Sequence, residues 1–254
     1  MMNKVNLREL ILEILLEISK GERHSHLIIR GTLEKYQYLE KQERAFITRV
    51  CEGTLEYRLR LDYILNRYST VPTEKMKPVI RELLRSGVYQ MLYMDSVPDS
   101  AVCNEAVKLA RKKGFYNLTG FVNGVLRKVA REYGSIRFPQ KSQPVEYLSV
   151  MYSMPIWLVE RFLKDYRFEK SEKIFEAFLE ESPTTIRIRE HLVDKQAVLE
   201  SLEKQKVLVE KAPYVENAYY LKNYDYLPAL EAFRMGNIQV QDVSSDRKSI
   251  RLNS

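Results

Sequence analysis

Residue types that carry chemistry are scarce in this chain. Of its 254 residues, two are cysteine, three histidine, one tryptophan and nine glycine. Cys51 and Cys103 lie far apart with no second cysteine or histidine at ligand spacing, which excludes a disulfide framework and argues against zinc. Each falls inside a helical pattern and reads as a small buried apolar residue. His24, His26 and His191 lack the supporting carboxylates a metal site needs. None of the glycines belongs to GxGxxG or to a P-loop, so no turn of the phosphate-cradling kind is present. No apolar run approaches the roughly 18–20 residues that span a bilayer. The first 18 residues interrupt their Leu and Ile with Lys4, Arg8, Glu9, Glu13 and Glu17, unlike a signal peptide. These absences lead us to expect a cytoplasmic protein without a membrane partner. No nucleophile and general base are brought together by spacing, so no catalytic, cofactor-binding or metal-binding residue is expected in the chain.

Positive charge is present, and it is unevenly placed. Residues 1–141 hold 25 Lys and Arg against 16 Asp and Glu, a net of +9, whereas residues 142–254 hold 16 against 18, a net of −2. An excess confined to one half points to a polyanionic partner for that half.

That first half reads as successive amphipathic helices. Leu7, Leu10, Ile11, Ile14, Leu15 and Ile18 follow the i, i+3, i+4, i+7 rule up to a stop at Gly21. Further helices are expected at 25–36, at 41–68 with a break near Gly53 or Tyr57, and at 78–93 behind Pro78, with Ile80, Leu83, Leu84, Val88, Met91 and Leu92 buried. The last two are 101–113, ended by Gly114, and 116–133. Gly120 and Gly124 form a small-residue stripe that would let another helix approach closely. Asn104, Glu105 and Asn123 interrupt apolar patterns and would be satisfied by helix-to-helix hydrogen bonds if buried.

The strongest signal for a partner lies between Ala106 and Arg131. Lys108, Arg111, Lys112, Lys113, Arg127, Lys128 and Arg131 occur there without one acidic residue. The sets 108/111/112 and 127/128/131 each occupy one side of a helix, so a hairpin across Gly114 would present a basic ribbon. Such a surface binds phosphates with salt-sensitive affinity and little sequence information; the bland alternative is a solvated face. Lys4, Arg8 and Arg44 are further candidates. Some of the 17 tyrosines could stack on unpaired bases.

After the connector-like stretch 139–154 the texture changes. Helices at 155–166, 170–181 and 194–204 alternate with period-two segments at Thr184–Arg189, 207–209 and 218–221, which makes a small α+β module over 155–235.

Particular motifs carry a resemblance. Glu43-Arg44-Ala45-Phe46, Gln90-Met91-Leu92-Tyr93, Asn104-Glu105-Ala106-Val107 and Phe121-Val122-Asn123-Gly124-Val125-Leu126-Arg127 resemble the helical RNA-binding domain of the NusB antitermination family. Met154-Pro155-Ile156-Trp157, Pro183-Thr184-Thr185-Ile186-Arg187 and Gln239-Val240-Gln241-Asp242-Val243-Ser244-Ser245 are similar to the bacterial 16S ribosomal RNA cytosine-5 methyltransferase family of RsmB (Sun) type, and the likeness covers about 1–245. It implies a mainly α fold. A NusB-like all-helical bundle over 1–138 would be followed by the connector, the smaller α+β module and, at 236–245, the first strand of a truncated methyltransferase core. It also implies S-adenosylmethionine as the cofactor of a full-length parent, with none bound by this fragment, and 16S ribosomal RNA as partner, with room for a protein partner. The family's catalytic cysteines belong to later motifs, and Cys51 and Cys103 match neither. The fragment alone is therefore expected to be inactive. Residues 246–254 depart from the family pattern and read as a non-native tail. A non-enzymatic antitermination factor and a helical protein-interaction scaffold are the alternative readings.

Overall fold

Asn6 starts the first helix: its side-chain oxygen accepts the Glu9 N–H at 3.0 Å, the capping arrangement that satisfies an otherwise orphaned donor. The structure, a computed structural model, describes residues 5–180, 183–224, 226–243 and 245. The chain divides into two units after Leu179.

The first unit holds ten helices among the described residues: α1 (Leu7–Ser19), α2 (Ser25–Lys35), α3 (Lys41–Glu56), α4 (Arg58–Tyr68), α5 (Pro78–Tyr93), α6 (Asp99–Lys112), α7 (Thr119–Glu132), α8 (Pro144–Met151), α9 (Ile156–Asp165) and α10 (Phe168–Phe178). Gly21 and Gly114 take positive φ beyond the ends of α1 and α6, as their placement anticipates. The expected break in 41–68 falls at Tyr57. Gly53 instead lies inside α3, where the missing side chain admits the Tyr89 ring.

Helix α5 is the hub, packing against α1, α3, α4, α6 and α7. Ile80, Leu83, Leu84, Val88 and Met91 are buried as the periodicity requires, and so are Glu82, Ser86 and Gln90 at i, i+4, i+8. Surrounded on all sides, this polar stripe is satisfied internally. The Ser86 hydroxyl donates to the Glu82 carbonyl at 2.8 Å, Gln90 Nε2 donates to the Ser86 carbonyl at 2.9 Å, and Glu82 receives Arg85 Nη1 at 2.8 Å. Arg85 also donates to both Asp62 oxygens, at 2.7 and 2.6 Å. Glu82 is buried and Arg85 and Asp62 are partly buried, so losing Arg85 would leave both carboxylates short of a charge partner.

The stretch expected as a connector, 139–154, is partly helical. Pro144 occupies the first turn of α8, where its missing N–H costs nothing. Leu148 of α8, Val159 of α9 and Phe175 of α10 form a second core within the unit. Glu172 accepts from Lys141 Nζ at 2.8 Å and the Tyr147 hydroxyl at 3.0 Å, tying the segment down. Side-chain packing therefore overrides a composition rich in Pro, Gln and Ser.

The second unit is an antiparallel sheet in the order β2-β3-β1-β4, built from β1 (Thr184–Ile188), β2 (Leu208–Lys211), β3 (Ala218–Lys222) and β4 (Ile238–Val240), with helices α11 (Lys195–Lys204) and α12 (Glu231–Arg234). Ile186, Ile188, Leu221 and Ile238 pack with Val198 and Leu202 of α11. The 236–245 stretch, expected to open a separate methyltransferase core, contributes β4 to this sheet, with Ile188 opposite Ile238 and Ile186 opposite Val240. Burial of Ile238 beside the two isoleucines of β1 accounts for that pairing. Residues 246–254, expected to be a foreign tail, lie outside the described residues.

Among the described residues no helix is long and apolar enough to cross a membrane. Both cysteines are buried.

Candidate nucleic-acid interface

Helix α7 has one outward stripe. Val122, Val125, Leu126 and Val129 point into the bundle, which leaves Gly120, Gly124, Arg127, Lys128 and Arg131 exposed at i, i+4, i+7, i+8 and i+11. One half of the helix surface is thus bare backbone and the other half is cationic. Beside it, α6 buries Val102, Cys103, Ala106, Leu109 and Ala110 and exposes Asn104, Lys108, Arg111 and Lys112. The two helices pack together through a short turn at Tyr116–Leu118. An open groove of about 440 Å³ runs between them, lined by Asn104, Val107 and Lys108 on one wall and Thr119, Gly120, Asn123 and Arg127 on the other.

Of the polar residues that interrupt the helical patterns, Asn104 and Asn123 face this groove. Asn104 is exposed, and Asn123 accepts a hydrogen bond from Arg127 Nε at 3.0 Å, which holds the guanidinium along the rim. Neither makes the buried helix-to-helix bond expected of it. Glu105 is engaged by Lys108 Nζ at 2.8 Å and by Asn6 Nδ2 at 3.4 Å; its carboxyl is held below the usual range, first by the Lys108 hydrogen bond. Among the described residues of this unit, a Cβ built on Gly120 or Gly124 meets nothing within 4 Å. Tyr116, 64% exposed, lies three residues ahead of Thr119, and exposed Tyr133 follows Arg131, placing an aromatic ring just beyond each end of α7.

The ten candidate cations separate into groups. Lys4 lies outside the described residues. Arg8 is turned inward: Nε donates to Gln90 Oε1 at 2.9 Å and the guanidinium sits 5.5 Å from the Phe46 ring centroid. Arg44 donates to the Leu39 and Gln37 carbonyls. Lys112 and Lys113 are tied to α1, with Lys112 Nζ 2.6 Å from Glu9, and Lys113 Nζ 2.9 Å from Glu13 and 3.2 Å from Glu9. The Lys112 hydrogen bond first, then that of Lys113, holds the Glu9 carboxyl below the usual range. Lys113 is partly buried in these pairs, whereas Lys112 stays exposed beside Glu9. Arg111 has no hydrogen bond or ion pair among the described residues and is exposed. Lys128 lies 5.6 Å from the Tyr68 ring, and Arg131 is 3.7 Å from Glu132 at a largely exposed site. Lys108, Arg111, Lys112, Arg127, Lys128 and Arg131 are therefore what the ribbon offers to solvent, with Lys108 and Lys112 each also paired to a glutamate. The exposed glycine backbone and Tyr116 were not among the candidates; the absence of any large side chain facing Gly120 and Gly124 is a tertiary fact.

A helical bundle with this arrangement has known relatives, and the chain belongs to the NusB family, whose model matches residues 5–131. A second model, that of the ferredoxin-like domain of RsmF/B-like methyltransferases, matches residues 154–225. Over 96% of its length the chain is 33% identical to the probable ribosomal RNA small subunit methyltransferase B of Bacillus subtilis, and over 78% it is 29% identical to the protein of that name from Synechocystis. It covers 54% and 44% of those proteins, so it spans about half the length of the curated relatives it matches. Among solved structures, the crystal structure of PH0851 superposes with a TM-score of 0.73 over 98% of this chain and 56% of that one, at 20% identity, a likeness of fold.

Proposed function

We propose that the chain is the RNA-binding, substrate-recognition part of an S-adenosylmethionine-dependent 16S ribosomal RNA cytosine-5 methyltransferase. The observation that carries this reading is the exposed stripe Gly120-Gly124-Arg127-Lys128-Arg131 beside the α6–α7 groove. Three cations neutralise phosphates, the glycines let a sugar-phosphate backbone come within contact of the helix, and Tyr116 offers a ring to an unpaired base. The names of the relatives supply the reaction class. Residues 154–225, matched to the ferredoxin-like domain of RsmF/B-like methyltransferases, favour this reading over a free-standing antitermination factor.

Methyl transfer at a cytosine ring carbon needs the base out of its stack, so holding the RNA in register is the chain's own contribution. The glycine-poor sequence has no cofactor-cradling turn, and no described residue is assigned to S-adenosylmethionine; we place methyl transfer in the part of the relatives that this chain does not span. RNA binding is tested by filter binding of the full chain to a 16S-derived RNA across a salt series. Affinity that falls steeply with salt is expected. No affinity at low salt, or affinity indifferent to salt, would sink the proposal.

A further inference from the structure

The second unit carries a cationic pocket of its own. Ile186 and Ile188 of β1 face the helices, so the alternation of the strand turns Arg187 to the opposite face of the sheet, between Ala218 of β3 and Gln239 of β4. At the strand's end the Ile188 N–H donates to the Asn217 carbonyl and the Arg189 N–H to the Asn237 carbonyl, each at 2.9 Å, which fixes the backbone on both sides of the strand where Asn217 and Arg189 line one pocket. A turn closed by the Leu192 N–H on the Arg189 carbonyl, at 2.8 Å, presents His191 to the same place. These residues enclose a cavity of about 190 Å³ together with Glu190 and Gln239.

Its chemistry is that of an anion receptor. Arg189 Nη2 donates to Gln239 Oε1 at 3.1 Å, which orients the guanidinium and leaves its other donors for a ligand. Asn217, Gln239 and His191 supply further polar groups. The one carboxylate on the wall, Glu190, lies 3.7 Å from Lys195 Nζ. Arg187 is already engaged, so Arg189 and His191 carry the binding. Its lining holds two arginines, Arg187 and Arg189, against the single carboxylate of Glu190, although residues 142–254 have a net charge of −2. Pockets that take whole small molecules run to roughly 300–1,000 Å³; this one has room for a charged group rather than a nucleotide. A planar fork of N–H donors matches phosphate oxygens.

We infer that the Arg189–His191 pocket binds one phosphodiester group of the RNA, a second contact on a different unit from the α7 stripe. The inference rests on the RNA-binding reading above. His191 provides a direct reporter, since only His24 and His26 share its resonances and the His191→Gln variant assigns them. The full chain is titrated with a fluorescein-labelled single-stranded RNA and, separately, with inorganic phosphate, following RNA binding by anisotropy and the imidazole resonances by NMR. The His191 resonances move over the RNA concentrations at which anisotropy rises, and Arg189→Ala weakens RNA binding about tenfold and lowers the salt slope by about one. A thermal melt confirms that the variant folds, and the wild-type shift stands independently of it. RNA binding by anisotropy with the His191 resonances unmoved overturns the pocket and leaves the proposed function intact. A shift with phosphate and none with RNA overturns it in favour of a free anion. Absence of RNA binding by the wild-type chain removes both proposals.

Discussion

Gly53 offers a sharp test of the packing that positions the helices. It lies in the interior of α3, where helix propensity alone favours alanine by about 1 kcal/mol. The tertiary structure reverses that sign. A Cβ at position 53 would overlap the Tyr89 ring at Cζ, Cε2 and Oη. Tyr89 is 5% exposed, its centroid is 5.1 Å from that of Tyr93 and 6.3 Å from that of Tyr57, and so the ring cannot retreat without unstacking. If α3 shifts away from α5, overpacking costs about 1–3 kcal/mol. If the ring is expelled instead, lost burial costs about 2–3 kcal/mol, with a further 0.5–1.5 or so from aromatic stacking. Set against the propensity gain, Gly53→Ala loses about 0–2 kcal/mol net if the helices part and about 1.5–3.5 kcal/mol if the ring is expelled. Urea unfolding followed by helical circular dichroism measures it, alone and in a Tyr89→Ala background. Without the ring the same methyl has space, and its effect becomes neutral or stabilising by up to about 1 kcal/mol. An equal loss in both backgrounds, or a stabilised single variant, would refute the steric argument.

Three further outcomes are expected. Reversing Arg127, Lys128 and Arg131 to Glu should leave the melting curve unchanged while lowering the slope of log affinity against log salt by about two to three, one phosphate contact per cation; an unchanged slope would move the interface elsewhere. Lys113→Glu should instead act on stability. It would put a third carboxylate beside Glu9 and Glu13 and cost about 1–2 kcal/mol in urea, so a variant as stable as wild type would mean that these pairs are not formed. Glu9 is held below the ordinary glutamate range in the folded chain. Its contribution is therefore complete above the unfolded value, about 4.3, and is lost as pH falls through the lower folded value. Glu9→Gln should remove that part of the acid sensitivity, and unfolding curves at neutral pH and below pH 4 would show an unaltered difference if the tie were absent.

Much of the helical half is written locally. Amphipathic period, Gly21 and Gly114 as stops and Pro78 as a start are properties of neighbours in sequence, and they coincide with α1, α5 and α6. Charge partition also survives folding, since it needs no contacts. What period could not say was which cations remain available. Lys112 and Arg111 are adjacent and look alike as text, yet one meets Glu9 and the other meets solvent, and the separation of more than 100 residues between Glu9 and Lys112 hides that pairing. Glu82, Ser86 and Gln90 were equally unreadable, because a helix surrounded on all sides buries polar residues only when distant partners accept them. The stretch 139–154, expected as a connector, begins with a Pro, Gln and Ser composition, yet its residues 144–151 are helical, with Leu148 packed against Val159 and Phe175.

From its amino-acid order alone this protein has a basic helical half, a near-neutral α+β half and motifs that tie both to one family. Those are consequences of period, charge count and short spacing. Tertiary structure alone decided that Gly53 is a slot for Tyr89, that Gly120 and Gly124 face open space, that 238–240 closes the small sheet, and that Arg189 and His191 share a pocket. The Gly53–Tyr89 contact, the pairing of β1 with β4 and the meeting of Arg189 with Asn217 and Gln239 each join residues far apart in sequence, where burial and hydrogen bonding select one partner from many.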